Sequence, residues 1–225
     1  MAASLCFFAV LVACGGGEEP TIVSPSPTST LASASAPASA EALEAFENGV
    51  RHLAQTQLEK ALEQFSAAIQ FDPGFAAAYN NRGLVFRRLN EPEKAVADYA
   101  EAIRLDPEFA AAYNNRGLAY EILEEFQRAF KDFDDAIRVY PQYAEAFYNR
   151  GNSHARIGQY DRSVEDYSEA IQLNPGYADA FYNRALSHAL SGAGEDAQRD
   201  VESAVALGVD RAELEAAIAG IKKQR

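Results

Sequence analysis

The chain has 225 residues, 48% hydrophobic and 24% charged, which is ordinary for a soluble globular protein and long enough to bury a substantial core. Its 33 acidic against 20 basic residues give a formal net charge of -13, which argues against nucleic acid or an anionic membrane surface as the primary partner. The cysteines are Cys6 and Cys14, both near the N-terminus, so the rest of the chain has no thiol to form a disulfide, bind a metal or act as a nucleophile.

Residues Leu5 to Val12 (LCFFAVLV) form an apolar run too short to span a bilayer as a helix but of the length expected for the core of a secretory signal. It ends in Leu11-Val12-Ala13-Cys14, followed by three glycines, and this resembles the bacterial lipobox. The resemblance implies a signal peptide over 1–13 and a diacylglycerol on Cys14, which would become the new N-terminus of an extracytoplasmic, membrane-anchored protein on the periplasmic or cell-surface side. Residues 1–13 contain no Lys or Arg, whereas such signals usually begin with a positive stretch. The start is either placed slightly too late or the signal is atypical. From Gly15 to Ala40 the chain reads GGGEEPTIVSPSPTSTLASASAPASA, a Pro, Ser, Thr and Ala composition with no helical or strand period. Residues 14–41 are expected to form a tether, with an end-to-end distance of roughly 30 Å.

Beyond the tether the sequence repeats. The decapeptide FAAAYNNRGL runs from Phe75 to Leu84 and again, unchanged, from Phe109 to Leu118. A period of 34 lays out five rows, 42–75, 76–109, 110–143, 144–177 and 178–211, without insertion or deletion. Place 8 holds Gly49, Gly83, Gly117, Gly151 and Ala185, and place 20 holds Ala61, Ala95, Ala129, Ser163 and Ala197. Place 24 holds Phe65, Tyr99, Phe133, Tyr167 and Val201, and the first four rows end near Pro73, Pro107, Pro141 and Pro175. Small and apolar residues at places 4, 8 and 11 fall on one stripe of a first helix, and those at 20, 24 and 27 on one stripe of a second. The stripes of an antiparallel hairpin face each other, small residues let the backbones approach, and the proline ends the second helix. In the last row Gly192 and Gly194 are expected to loosen the turn. After Gly208, Asp210 is placed to cap a final helix over 212–225 whose Leu214, Ile218 and Ile221 form one apolar stripe.

These rows resemble tetratricopeptide repeats from about Ala42 to Arg211. The resemblance implies an all-α fold, a right-handed α-solenoid superhelix of five helix hairpins plus a C-terminal capping helix, because a single hairpin cannot bury its own apolar surface. It also implies a protein or extended peptide as partner, bound in a concave groove lined by the first helices.

Place 7 is Arg in four rows (Arg82, Arg116, Arg150, Arg184) and place 23 is Asp in the same four (Asp98, Asp132, Asp166, Asp200), while the first row changes both together to Asn48 and Gln64. Joint variation points to an ion pair inside each hairpin rather than to an arginine stripe for an anionic partner. Place 6 holds Asn81, Asn115, Asn149 and Asn183, with Asn80 and Asn114 beside the first two. An asparagine here in successive repeats resembles the ladder with which some family members grip a peptide backbone, since a carboxamide both donates and accepts. The alternative is that these residues bridge neighbouring helices. Tyr148 and Tyr182 are candidate aromatic anchors of the groove or packing residues, Leu84, Leu118 and Leu186 its apolar floor, and Arg87, Arg88 and Arg156 a basic patch, together suiting an extended segment of apolar and acidic side chains. The lysines fall on second helices and in the cap, which does not indicate the carboxylate clamp of chaperone-binding members.

No catalytic constellation, cofactor motif or metal-ligand spacing is recognised. His52, His154 and His188 share place 11 of the buried stripe, a packing position, and no glycine-rich phosphate loop occurs. The expected function is a non-enzymatic, membrane-tethered adaptor; the alternatives are a self-assembling homo-oligomeric module or a docking regulator of an envelope enzyme.

Overall fold

The computed structural model describes residues 39–224, so the expected signal peptide, Cys14 and residues 14–38 of the expected tether lie outside the described residues, while Ala40 and Glu41, expected in the tether, are already helical. All regular structure among the described residues is helical, in the order α1 (Ala40–Ala54), α2 (Leu58–Phe71), α3 (Ala76–Arg88), α4 (Pro92–Leu105), α5 (Ala110–Ile122), α6 (Phe126–Val139), α7 (Ala144–Arg156), α8 (Tyr160–Leu173), α9 (Ala178–Ser191), α10 (Gly194–Ala206) and α11 (Arg211–Gln224). Each row of the repeat is one helix pair. Two compact units divide after Pro141, the first holding α1 to α6 and the second α7 to α11.

Local chemistry sets the helix ends. Ser39 caps α1 by accepting from the Ala42 amide at 3.1 Å. The residue before each proline is pushed to extended backbone by the proline ring, with φ of -137° at Asp72 and -134° at Asp106, and this stops α2 and α4. The freed Asp72 and Asp106 carboxylates then accept from the Gly74 and Glu108 amides at 2.8 and 3.0 Å, tightening the turn into the next row.

The turn inside every hairpin has one residue in the left-handed region at place 15: Thr56, Asn90, Glu124, Gly158 and Gly192, with φ from 56° to 96°. Gly192 therefore does not loosen the last turn as expected; it supplies at low steric cost the conformation that all five turns require. Gly208, at φ 100°, ends α10, and Asp210 Oδ1 accepts from the Glu213 amide at 2.9 Å to start α11.

Packing within a hairpin is governed by the glycine at place 8. A Cβ on Gly83 would come to 2.8 Å from Cε1 of Tyr99, and one on Gly117 to 2.7 Å from Cε1 of Phe133. The fifth row has Ala185 because the ring opposite is replaced by Val201, and both side chains are fully buried. Around these contacts α1, α2 and α3 bury Phe46, Leu53, Phe65, Leu84 and Val85 in the first unit. In the second, Leu214, Ile218 and Ile221 of α11 close the apolar surface of Leu186, Leu190 and Val201.

Candidate functional site

Two sets of polar residues lie on the first helices, one turned toward the second helix of the same hairpin and one toward the neighbouring first helix. The inward set is the arginine of place 7. Arg82 Nε and Nη2 donate to Asp98 at 2.7 and 2.8 Å, Arg116 makes the same pair of bonds to Asp132, and Arg184 donates to Asp200 at 2.8 and 2.6 Å. Arg150 and Asp166 repeat the arrangement, with Nη2 at 2.6 Å from Oδ1. Asp98 holds the Arg82 guanidinium above its ordinary pKa by hydrogen bonding and charge, against the opposing effect of burial. The in-hairpin ion pair inferred from joint variation is thus present in all four rows that carry it.

Sequence reasoning missed the rest of this assembly. Each arginine also lies over the ring at place 4, 5.5 Å from Tyr79, Phe147 or Phe181 in three rows and 5.8 Å from Tyr113 in the other. Arg82 and Arg184 reach Ser66 and Ser168 of the preceding row at 3.4 and 2.9 Å, tying successive hairpins together within each unit. His154 Nε2 and His188 Nε2 stand 3.8 Å from the paired carboxylates of Asp166 and Asp200. The signal available was place 11 itself, one helical turn from the arginine.

The second set comprises the asparagines, and here the structure departs from expectation. Asn80, Asn81 and Asn115 are fully buried and Asn114 and Asn183 nearly so. Asn115 Nδ2 on α5 donates to Asn80 Oδ1 on α3 at 3.0 Å, and Asn80 Nδ2 donates to Asn81 Oδ1 at 3.2 Å. In the second unit Asn183 Nδ2 on α9 donates at 3.0 Å to both Tyr148 Oη and Asn152 Oδ1 on α7. One rule covers both: the asparagine at place 6 bridges to place 5 of the preceding row. These amides pair first helix to first helix, so Asn80, Asn81, Asn114, Asn115 and Asn183 are not presented to a partner as open rungs.

The same enclosure applies to four other groove candidates. Tyr148 packs its ring 4.7 Å from Tyr177 and 5.8 Å from Tyr167, Tyr182 belongs to the core around Val201 and Leu214, and Leu84 and Leu186 are fully buried. Of the residues expected to face a partner, Arg87, Arg88 and Leu118 in the first unit and Asn149 and Arg156 in the second keep partial exposure. Burial pushes the Tyr99 phenol up to about 12, with the Arg87 guanidinium beside it acting in the opposite sense. Among the described residues no group of three or more His, Cys, Asp or Glu could hold a metal ion, and no helix is long and apolar enough to cross a membrane.

A model of the TPR repeat matches residues 49–90 and 83–123, and a model of the tetratricopeptide repeat matches 110–143 and 144–177. Together they span more than half of the chain. The chain belongs to the tetratricopeptide repeat family. Among solved structures, one from a functional characterization of PilF of Pseudomonas aeruginosa is 18% identical with a TM-score of 0.71, covering 82% of this chain and 90% of that one. YrrB, described as a TPR protein with an unusual peptide-binding site, is 23% identical with a TM-score of 0.61, covering 78% and 91%. MamA of Desulfovibrio magneticus RS-1 is 16% identical with a TM-score of 0.66, covering 76% and 96%. At these identities the likeness shows the fold, which is the all-α solenoid class expected from the sequence. No curated protein sequence matches the chain.

Proposed function

We propose that this tetratricopeptide repeat protein is a non-catalytic adaptor that binds a peptide or protein through its first helices and is held at the outer side of a membrane by a lipid on Cys14. The observation that carries the binding part is the division of labour along the first helices. Places 7 and 8 are nearly constant and are used within the hairpin, as the Arg116 to Asp132 pair and the Gly117 to Phe133 contact show. Places 12 and 13 vary from row to row and, in a chain of net charge -13, hold the partly exposed Arg87 and Arg88 in the first unit and Arg156 in the second; Leu118 and Asn149 are also partly exposed. A constant frame with variable accessible residues suits recognition, and the partly exposed Arg87, Arg88 and Leu118 of the first unit suit a segment mixing acidic and apolar side chains. The peptide-binding site named for YrrB, which shares the fold, supports the same reading.

Anchoring rests on the apolar run ending in LVAC and on the tether that follows. Both parts are tested in intact cells. A photo-reactive residue at Leu118 or Asn149 is expected to capture a partner that the same residue at exposed second-helix positions, Glu63 or Lys131, does not. Equal capture from both faces sinks the first-helix reading. Cys14→Ala is expected to move the protein out of the membrane fraction, and unchanged fractionation sinks the lipid anchor.

A further inference from the structure

Arg87 and Arg88 end α3, and Leu118 and Ile122 stand one turn apart at the end of α5. The two helices are neighbours, since Asn115 on α5 donates to Asn80 on α3 at 3.0 Å, and the repeat places these four residues on the same side of them. All four keep partial exposure, and Ile122 is 44% exposed. Glu121, the residue before Ile122, is only 7% exposed, so the accessible charge of this face is positive in a chain whose net charge is -13. The face thus has two parts, cationic on α3 and apolar on α5, set apart by the roughly 8–10 Å between packed helix axes.

The chain carries a segment with the complementary pattern. Glu18 and Glu19 are the sole charged residues of 1–38, and Ile22 and Val23 follow them across Pro20 and Thr21. Pro20 biases Glu19 toward extended backbone, in which Glu19 and Ile22 lie about 10 Å apart, the spacing of adjacent first helices. Reach is sufficient. The 15 residues of α1 rise about 22 Å, and two helix spacings bring the route from Ser39 to the end of α5 to about 30 Å, whereas residues 24–38 span up to about 50 Å. A segment tied to the surface in this way meets it at an effective concentration on the order of 1 mM, so even a millimolar intrinsic affinity keeps it docked about half the time.

We infer that the face formed by Arg87, Arg88, Leu118 and Ile122 is covered by residues 18–23 of the same chain, Glu18 and Glu19 pairing with the arginines and Ile22 and Val23 lying on Leu118 and Ile122. The inference rests on the peptide-binding reading above: the partner displaces this segment and shares its chemistry, a pair of carboxylates followed by an apolar pair. A partner that lacks either half cannot compete with the segment, so the internal cover adds selectivity as well as occupying the face. Docking also shortens the tether, leaving Gly15 to Gly17 between Cys14 and the bound segment.

The test places an aliphatic diazirine amino acid at position 122 of the purified full chain and maps its crosslinks by mass spectrometry. A crosslink to residues 18–23 within the monomer is expected, with a yield unchanged by about tenfold dilution because the contact is intramolecular. Glu18→Lys with Glu19→Lys, and separately Ile22→Ser with Val23→Ser, are expected to cut that yield at least about fivefold. These positions precede the helical rows, so the variants leave the fold in place. Overturning results are no crosslink to 18–23, a crosslink found only between two chains, which makes a second copy the occupant, or a yield indifferent to the lysine pair. If position 118 captures a partner in cells while the purified chain gives no crosslink, this inference fails and the adaptor reading stands. A crosslink to 18–23 with no partner captured from any first-helix position sinks the adaptor reading and leaves the internal contact.

Discussion

Gly117 faces Phe133 so closely that a Cβ added to it would come to 2.7 Å from the ring at Cε1, 3.0 Å at Cδ1 and 3.0 Å at Cζ. Both residues are buried, so the ring cannot swing into solvent. Gly117→Ala is therefore expected to cost about 2 kcal/mol through overpacking, despite the better helix propensity of alanine. The fifth row shows the remedy, since Ala185 is accommodated opposite Val201. Phe133→Val alone is expected to leave a cavity and also destabilise, while the double variant recovers part of the loss. A urea-unfolding double-mutant cycle measures the coupling, and simple additivity contradicts the contact.

The buried ion pairs behave differently from surface ones. The side chains of Arg116 and Asp132 are 18% and 3% exposed and joined by two hydrogen bonds, so removing one partner strands the other. Asp132→Ala is expected to cost about 3 kcal/mol. The first row lacks both charges and uses Asn48 and Gln64, so Arg116→Asn combined with Asp132→Gln is expected to be more stable than Asp132→Ala alone. A double variant as unstable as the single one argues that the charges, not their matching, hold the hairpin.

How much of this was legible follows from what a repeat reveals. Five aligned rows let Arg82 and Asp98 be paired because Asn48 and Gln64 change together, and the hairpin stripes, the Gly208 stop and the Asp210 cap are local signals. The asparagines were misplaced for the opposite reason. Asn115 bonds to Asn80, 35 residues away and across two rows, and the pattern of a single helix does not contain that neighbour. A carboxamide matched to another carboxamide has the same sequence signature as one offered to a partner. The left-handed turn position was hidden too, because Thr56, Asn90 and Glu124 carry no glycine to mark it.

That turn position gives a stabilising prediction. Thr56 at φ 56° and Glu124 at φ 58° hold a conformation in which an ordinary side chain crowds the following carbonyl. Gly158 and Gly192 occupy the same place without that crowding. Glu124→Gly is expected to raise stability by about 0.5–1 kcal/mol, the steric relief exceeding the added freedom of the unfolded chain. Thr56→Gly is expected to gain at least as much because threonine is β-branched, and Asn90→Gly less because asparagine tolerates this region. Thermal melts of the three variants give the ranking, and a loss of stability in Glu124→Gly refutes the steric account.

His154 is expected to make the second unit sensitive to mild acid. Its Nδ1 meets Gln159 Oε1 at 2.9 Å, and Nε2 stands 3.8 Å from Asp166 Oδ2, which is already paired with Arg150. Burial lowers the imidazole pKa below its ordinary 6.5, Asp166 and the Gln159 hydrogen bond oppose this, and Arg150 and Arg162 reinforce it. The folded protein thus prefers neutral His154, while the unfolded chain takes up the proton near the ordinary value. Its contribution to stability is fully present above pH 6.5 and is lost as pH falls through the depressed folded value, below which both states are protonated and this dependence ends. His154→Phe copies Phe86 of the second row and removes the titration while keeping a ring at place 11. Urea midpoints at pH 7.5, 6.0 and 5.0 are expected to fall more steeply for the wild type than for the variant, and parallel curves rule out a contribution from His154.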